Sequence, residues 1–222
     1  MSASLYPLFL NLKDRTCVVV GGGEMAEGKT RGLLDAGARI RVIAPEVTRQ
    51  ISAWAESGKL QWNARTYQIG DLHDAFLVVS AADAETNARV FAEAEEEHTF
   101  CNAVDDIPHC NCYASAVVRR GPLQIAISTA GNSPALAQRL RRELEEEFGE
   151  EYGPWVQQLG EARKLLFQDQ AVYTATQRKR LHDQASAAAF EAFRLSLRRE
   201  GDSQNSVRSS EGSRKSSGKA KP

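Results

Sequence analysis

Four cysteines in 222 residues are too few to staple a chain of this length, which argues against a disulfide-built secreted scaffold. An excess of charge of one sign is missing too. The 28 Lys and Arg nearly balance 29 Asp and Glu, for a net charge of −1. That balance gives no support to a nucleic-acid binder, whose domains are usually strongly basic. No apolar run approaches the roughly 20 residues that cross a bilayer. The opening MSASLYPLFLNLKDR lacks the basic start and long apolar stretch of a secretory leader. The expected setting is therefore a reducing cytoplasm, with neither membrane nor nucleic acid as partner. What is present is apolar material, 42% of residues, enough for one full α/β domain and a smaller one.

Along the chain, strands and helices alternate. Thr16–Val20 is a β-branched run entering glycines, and residues 24–36 continue as a helix with Gly37 where a C-cap belongs. RIRVIAP gives a second strand stopped by Pro45, residues 47–57 a helix, and LQWNARTY a weaker third strand. AFLVVSAA (75–82), an Ala/Glu-rich helix over 83–98 and FCNAV (100–104) complete five strands. Such alternation implies a parallel, doubly wound sheet. The pattern then breaks: a turn at Arg119-Arg120-Gly121-Pro122 leads into the strand LQIAIST (123–129). Ser133 and Pro134 suit the N-cap and first position of a helix. Residues 154–200 look helical, and the Ser/Gly/Lys-rich segment 201–222 lacks core residues and is expected to be disordered.

Residues 18–30, VVVGGGEMAEGKT, satisfy two phosphate-binding patterns at once. Gly21 to Ala26 fits the dinucleotide fingerprint G-x-G-x-x-G/A, and Gly23 to Thr30 fits the triphosphate loop G-x-x-x-x-G-K-[ST]. The second would delay the helix to about Lys29, leaving roughly two turns before Gly37 at 3.6 residues per turn. It would also set Glu24 and Glu27 in a cradle for phosphate, and the strand FLVVS ends in Ser80 where a magnesium-binding Asp is needed. The dinucleotide reading is preferred. Its contacts are Gly21, Gly23, Glu24 and Met25 at the turn, with Pro45 and Glu46 after the second strand. Glu46 is the one candidate for the ribose hydroxyls, and equally suits a charge at the next helix N-terminus. Arg39 or Arg41 offers an alternative for a 2′-phosphate, so NAD is preferred over NADP.

Three segments together resemble one family. They are YPLFLNLKDRTCVVVGGGEMAEGKTRGLLDAGARIRVIAP, then FCNAVDD, then VVRRGPLQIAISTAGNSPALAQRLRREL, in sequential order over about residues 5–148. The likeness is to the precorrin-2 dehydrogenase/sirohydrochlorin ferrochelatase family, the stand-alone or N-terminal module of siroheme synthase. It implies an α/β subunit: a Rossmann-type parallel sheet domain (1–113), a small α+β dimerisation region (114–150) and a helical C-terminal domain (151–200), ahead of the tail (201–222). It also implies an enzyme, a homodimer that uses NAD to oxidise the tetrapyrrole precorrin-2 to sirohydrochlorin. Some members then insert Fe²⁺ to give siroheme.

Within that resemblance Asp105, in the N-x-V-D segment, carries over as the catalytic residue; its other reading is a turn cap with Asp106 and Pro108. A substrate ringed with carboxylates needs cationic and N–H donors. Arg119 and Arg120, with Ser128, Thr129, Asn132 and Ser133 at the start of a helix, are the substrate-binding candidates. Arg139, Arg141 and Arg142 follow on that helix, where each also suits an ion pair with the glutamates nearby. His109, Cys110 and Cys112, with Cys101 upstream, contain ligand types for a soft metal but no C-x-x-C pairing, so no protein-held metal is expected. A non-enzymatic, NAD-binding dimeric sensor is the competing class.

Overall fold

The computed structural model describes residues 5–168, 174, 176–177, 179–180, 183–193 and 195. The described residues form two compact units, one reaching to 118 and including 126–145, the other of 119–125 with those from 146 onward. The expected tail, 201–222, lies outside the described residues.

The first unit is built on five parallel strands: β1 (Thr16–Val20), β2 (Arg39–Ile43), β3 (Gln61–Asn63), β4 (Leu77–Ser80) and β5 (Phe100–Ala103). Their order is β3-β2-β1-β4-β5. Three helices cross between them, α1 (Glu24–Asp35), α2 (Arg49–Glu56) and α3 (Ala84–Glu96). The central strands β1 and β4 read as nearly continuous apolar runs because both faces are covered. Cys17 and Val19 join Ala26, Leu33 and Ile51 in one core cluster, while Val18 and Val20 join Val90, Ala94 and Cys101 in the other. That is the period-two alternation of a strand. Each fully buried Val, such as Val18 or Val42, contributes about 1.5–3 kcal/mol by leaving water.

The third strand is shorter than expected, three residues rather than eight. It is an edge strand paired only to β2, and the chain beyond it folds under α3. There Glu93, only 4% exposed, accepts hydrogen bonds from the Tyr67 hydroxyl and from the backbone N–H of Gly70 and Leu72. Arg65 grips Asp71 through two hydrogen bonds, 2.8 and 2.6 Å, and Gln68 N–H adds a third to that carboxylate. Arg65 thereby holds the Asp71 carboxyl below its ordinary range.

A strand absent from the sequence-based expectation, β6 (Ala116–Arg120), pairs with β7 (Leu123–Ile127) in a two-stranded sheet. Arg119 and Arg120 are strand residues, and the connection is only Gly121-Pro122, with Gly121 at φ +54. Helix α4 (Pro134–Glu147) follows, capped by Ser133 Oγ accepting from Leu136 N–H. In the second unit, α5 (Tyr152–Gln168) packs its Tyr152 and Trp155 on Phe193, with the Trp155 and Phe193 rings stacked 4.5 Å apart.

Candidate functional site

Strand order reverses at β1, with β2 on one side and β4 on the other, so a crevice opens at their carboxyl ends. The glycine turn sits there. Gly21, at φ +113, donates to the carbonyl of Ile43, and a methyl group on it would lie 2.3 Å from the Ala81 carbonyl oxygen. A methyl on Gly22 would lie 1.9 Å from the carbonyl oxygen of Glu46. Gly23 is the N-cap of α1, makes no side-chain cap, and a methyl there would meet nothing within 4 Å. The first two glycines let backbones meet; the third leaves the helix N-terminus open. Uncapped N–H groups at an open helix start are what a pyrophosphate needs, so the residues fit a dinucleotide.

The triphosphate-loop alternative fails on the same geometry. Helix α1 is already running at Glu24, and Thr30 is fully buried inside it. Glu24 lies in its first turn, where a carboxylate suits the helix dipole, and Met25 is 53% exposed.

Pro45 and Glu46 are exposed in the loop between β2 and α2. That helix begins at Arg49, with Thr48 as its N-cap and no acidic residue in its first turn. Glu46 is thus no part of the helix start, and its backbone lies against Gly22. Neither arginine considered for a 2′-phosphate is at this edge. Arg39 opens β2 and lines a cavity at the opposite edge with Asp14 and Arg15. Arg41 is engaged by the Asp71 carbonyl at 2.8 Å and the Asp74 carboxylate at 3.0 Å.

Asp105 follows β5 at the carboxyl edge, exposed, with a left-handed backbone at φ +58. Among the described residues its carboxylate has no hydrogen-bond partner, so it caps no turn. A 3-10 turn over Ile107–His109 comes next. Its Ile107 side chain approaches the position a methyl on Gly131 would take, to 2.7 Å, so the loop before α4 lies against this turn. In that loop Ser128 Oγ accepts from Ala130 N–H, Thr129 Oγ1 from Ser133 N–H, and the Thr129 carbonyl from Asn132. Ser128 and Asn132 are exposed. Asp105, Ser128, Thr129, Asn132 and Ser133 all belong to the first unit.

Arg119 and Arg120 belong to the second. Arg119 is exposed, whereas the Arg120 side chain is 12% exposed and committed: its Nε donates to the Phe148 carbonyl at 2.7 Å, and Nη1 pairs with Glu150 at 3.2 Å. Arg139 and Arg141 pair along α4 with Glu143 and Glu145. Arg142 is exposed on the same helix.

Sequence reasoning missed a polar chain beside Asp105. Asp106 binds Nδ1 of His109 at 2.9 Å and accepts from Asn87, which accepts from Ser80. The hydrogen bond from His109 holds the Asp106 carboxyl below its usual range, and Asn87 adds to the effect. The visible signal was the D-x-x-H spacing, which a single turn brings together. Burial pushes the thiols of Cys101 and Cys112 up to about 12 and that of Cys17 to about 11; Cys110 is raised too. Among the described residues, no group of three or more His, Cys, Asp or Glu side chains is arranged to hold a metal ion.

Comparison with known proteins gives two family matches. Residues 8–116 match a family described as putative NAD(P)-binding, and residues 120–147 match the sirohaem biosynthesis protein central family. A siroheme synthase of Xylella fastidiosa (strain M12) is 43% identical over 152 residues, 68% of this chain and 32% of that protein. Siroheme synthase 2 of Yersinia enterocolitica is 38% identical over 174 residues, 78% of this chain and 37% of that protein. The chain therefore spans about a third of the curated relatives it matches. A solved structure, SirC, precorrin-2 dehydrogenase, superposes with a TM-score of 0.65 at 29% identity, covering 81% of this chain and 88% of that one. Among the described residues, no helix is long and apolar enough to cross a membrane.

Proposed function

The chain belongs to the siroheme-biosynthesis family that includes siroheme synthase and precorrin-2 dehydrogenase, and on that footing we propose that it oxidises precorrin-2 to sirohydrochlorin with NAD. The observation that carries this reading is the open, uncapped start of α1 at the point where strand order reverses, on the same sheet edge as Asp105. The dinucleotide, when bound, supplies the hydride acceptor. Gly21, Gly23, Glu24 and Met25 would hold it at the turn, with Pro45 and Glu46 at the ribose. NAD is favoured because Arg39 lies at the opposite edge of the sheet and Arg41 is engaged by Asp71 and Asp74.

Asp105 has the character of a catalytic carboxylate. It is exposed and has no partner among the described residues, so it is free to face the positive charge that develops on the tetrapyrrole as a hydride departs. In the first unit, Ser128, Thr129, Asn132 and Ser133 would take carboxylates of the substrate; the exposed Arg119, in the second unit, is a candidate considered by itself. Arg120 would serve by holding the hairpin to Phe148.

The test is NADH formation from precorrin-2 and NAD⁺. Asp105→Asn is the informative variant, because Asn tolerates the left-handed backbone while losing the charge. Turnover is expected to fall by about 10²-fold or more, with NAD⁺ binding unchanged. Wild-type rates in this variant would remove Asp105 from the mechanism. Tetrapyrrole binding, read as a visible-band shift with sirohydrochlorin, separates the enzyme from an NAD-binding sensor.

Three further parts belong to the same proposal. Fe²⁺ is a second substrate, inserted into sirohydrochlorin and assayed as siroheme formation. The chain is a homodimer pairing through residues 114–150, so sedimentation should give twice the 24.4 kDa chain mass. The compartment is the cytoplasm.

A further inference from the structure

Asp106 precedes the 3-10 turn at its capping position, yet its side chain makes no capping bond. Both carboxylate oxygens instead lie 2.9 Å from Nδ1 of His109. Oδ2 also accepts from Asn87 Nδ2 at 3.2 Å. Asn87 is 3% exposed, and Ser80 Oγ, at the end of β4, donates to its Oδ1 at 2.6 Å. The carboxylate is thus fixed from β4 and α3, and Phe91 meets the imidazole edge-on with ring centroids 5.8 Å apart. A surface ion pair would need none of this support, and would contribute little stability.

The arrangement has a chemical consequence. An imidazole that gives its Nδ1–H to a carboxylate presents Nε2 as a bare acceptor in a fixed direction. The His109 side chain is 31% exposed, neither sealed in the core nor loose in solvent. It lies four residues after Asp105, on the turn that touches the loop before α4. Dehydrogenation also needs a proton acceptor matched to neutral pH. A histidine whose Nδ1–H is held by a carboxylate is a common general base, with Nε2 as the accepting atom.

We propose that His109, oriented by Asp106, receives the proton released in the dehydrogenation, with Nε2 as the accepting atom; this rests on the function proposed above. The balance is simple. The substrate loses a hydride from carbon to the nicotinamide dinucleotide, and a proton from the adjoining position to Nε2. The bonding pair left by the proton becomes the new double bond, and the imidazolium later returns its proton to water. Asp106 is a positioning residue, supported by Asn87 and Ser80. Among the described residues, the ionisable group in contact with the ring is Asp106; Asp105 and Cys110 are near it in sequence, and Lys29 of α1 acts on Cys110. α3 contributes Phe91 and Asn87, neither of which ionises.

Two measurements test this. Nitrogen-15 NMR of the wild-type chain without ligands should find neutral His109 as the Nδ1–H tautomer; the Nε2–H tautomer would overturn the proposal whatever the variants do. With precorrin-2 and NAD⁺, His109→Gln should lower kcat about 10²-fold while NAD⁺ and sirohydrochlorin still bind. His109→Ala should regain turnover when imidazole is added, which a purely structural role would not produce. Asp106→Asn should show a smaller loss and a displaced acidic limb in its pH–rate profile, the limb on which a general base becomes protonated. An active wild type with an equally active His109→Gln variant sinks the proton-acceptor role alone. A wild type that makes no NADH from precorrin-2 sinks the proposed function, and this inference with it.

Discussion

Gly22 and Gly23 are neighbours of the same type, yet a methyl group on each meets different surroundings. At Gly22 it would press into the Glu46 carbonyl at 1.9 Å, while at Gly23 it would meet nothing within 4 Å. Gly22→Ala is therefore expected to cost about 1–3 kcal/mol, measurable by urea melting, because backbone has to move. Gly23→Ala should stay within about 1 kcal/mol of wild type, the loss of a good N-cap residue. Its NAD⁺ affinity should fall nonetheless, as calorimetry would detect. The fingerprint residues were legible because their spacing is local. The Ser80–Asn87–Asp106–His109 chain was not, since it joins a strand end, a helix and a turn that only folding brings together. Asp71 supplies a pH test. Its depressed carboxyl contributes stability that is present above the unfolded value near 3.9 and is lost as pH falls towards the folded value. Asp71→Asn should therefore be less stable than wild type at pH 7, and the gap should shrink in urea melts at pH 3.

At the scale of elements, the strands that were easiest to read are those buried on both faces. β1 and β4 are continuous apolar runs, and their ends were placed within two residues by glycine, serine and alanine. β6 escaped because its last two residues are arginines next to Gly-Pro, a composition that favours a turn; a two-residue connection with Gly121 at φ +54 lets the strand run on to Arg120. β3 was overestimated because LQWNARTY is apolar enough for a strand, whereas Tyr67 is instead drawn towards the buried Glu93. The start of α2 has a role beyond its own helix. Thr48 Oγ1 accepts from Ile51 N–H, and Thr48 N–H donates to the Gly22 carbonyl. Thr48→Ala is expected to cost about 1 kcal/mol in thermal melting, while the backbone bond to the glycine turn survives.

At the scale of the molecule, alternation of strand and helix was enough to give the parallel sheet, because the period of apolar residues reports which faces are covered. The split into two units runs through the β6–β7 hairpin and could not be read locally, since it depends on which distant segments each strand touches. A ligand that binds only the folded first unit stabilises that unit by mass action, about 2.7 kcal/mol at 100 times its Kd. Hydrogen exchange with saturating NAD⁺ should therefore slow in β1 and α1 and stay unchanged around Trp155. The raised thiols have a practical consequence at this scale. All four cysteines are buried or half-buried, and burial drives each away from its reactive thiolate. Maleimide dyes should label the native chain slowly at neutral pH. A single cysteine introduced at an exposed position would then take a fluorophore selectively, without first stripping the four natural ones.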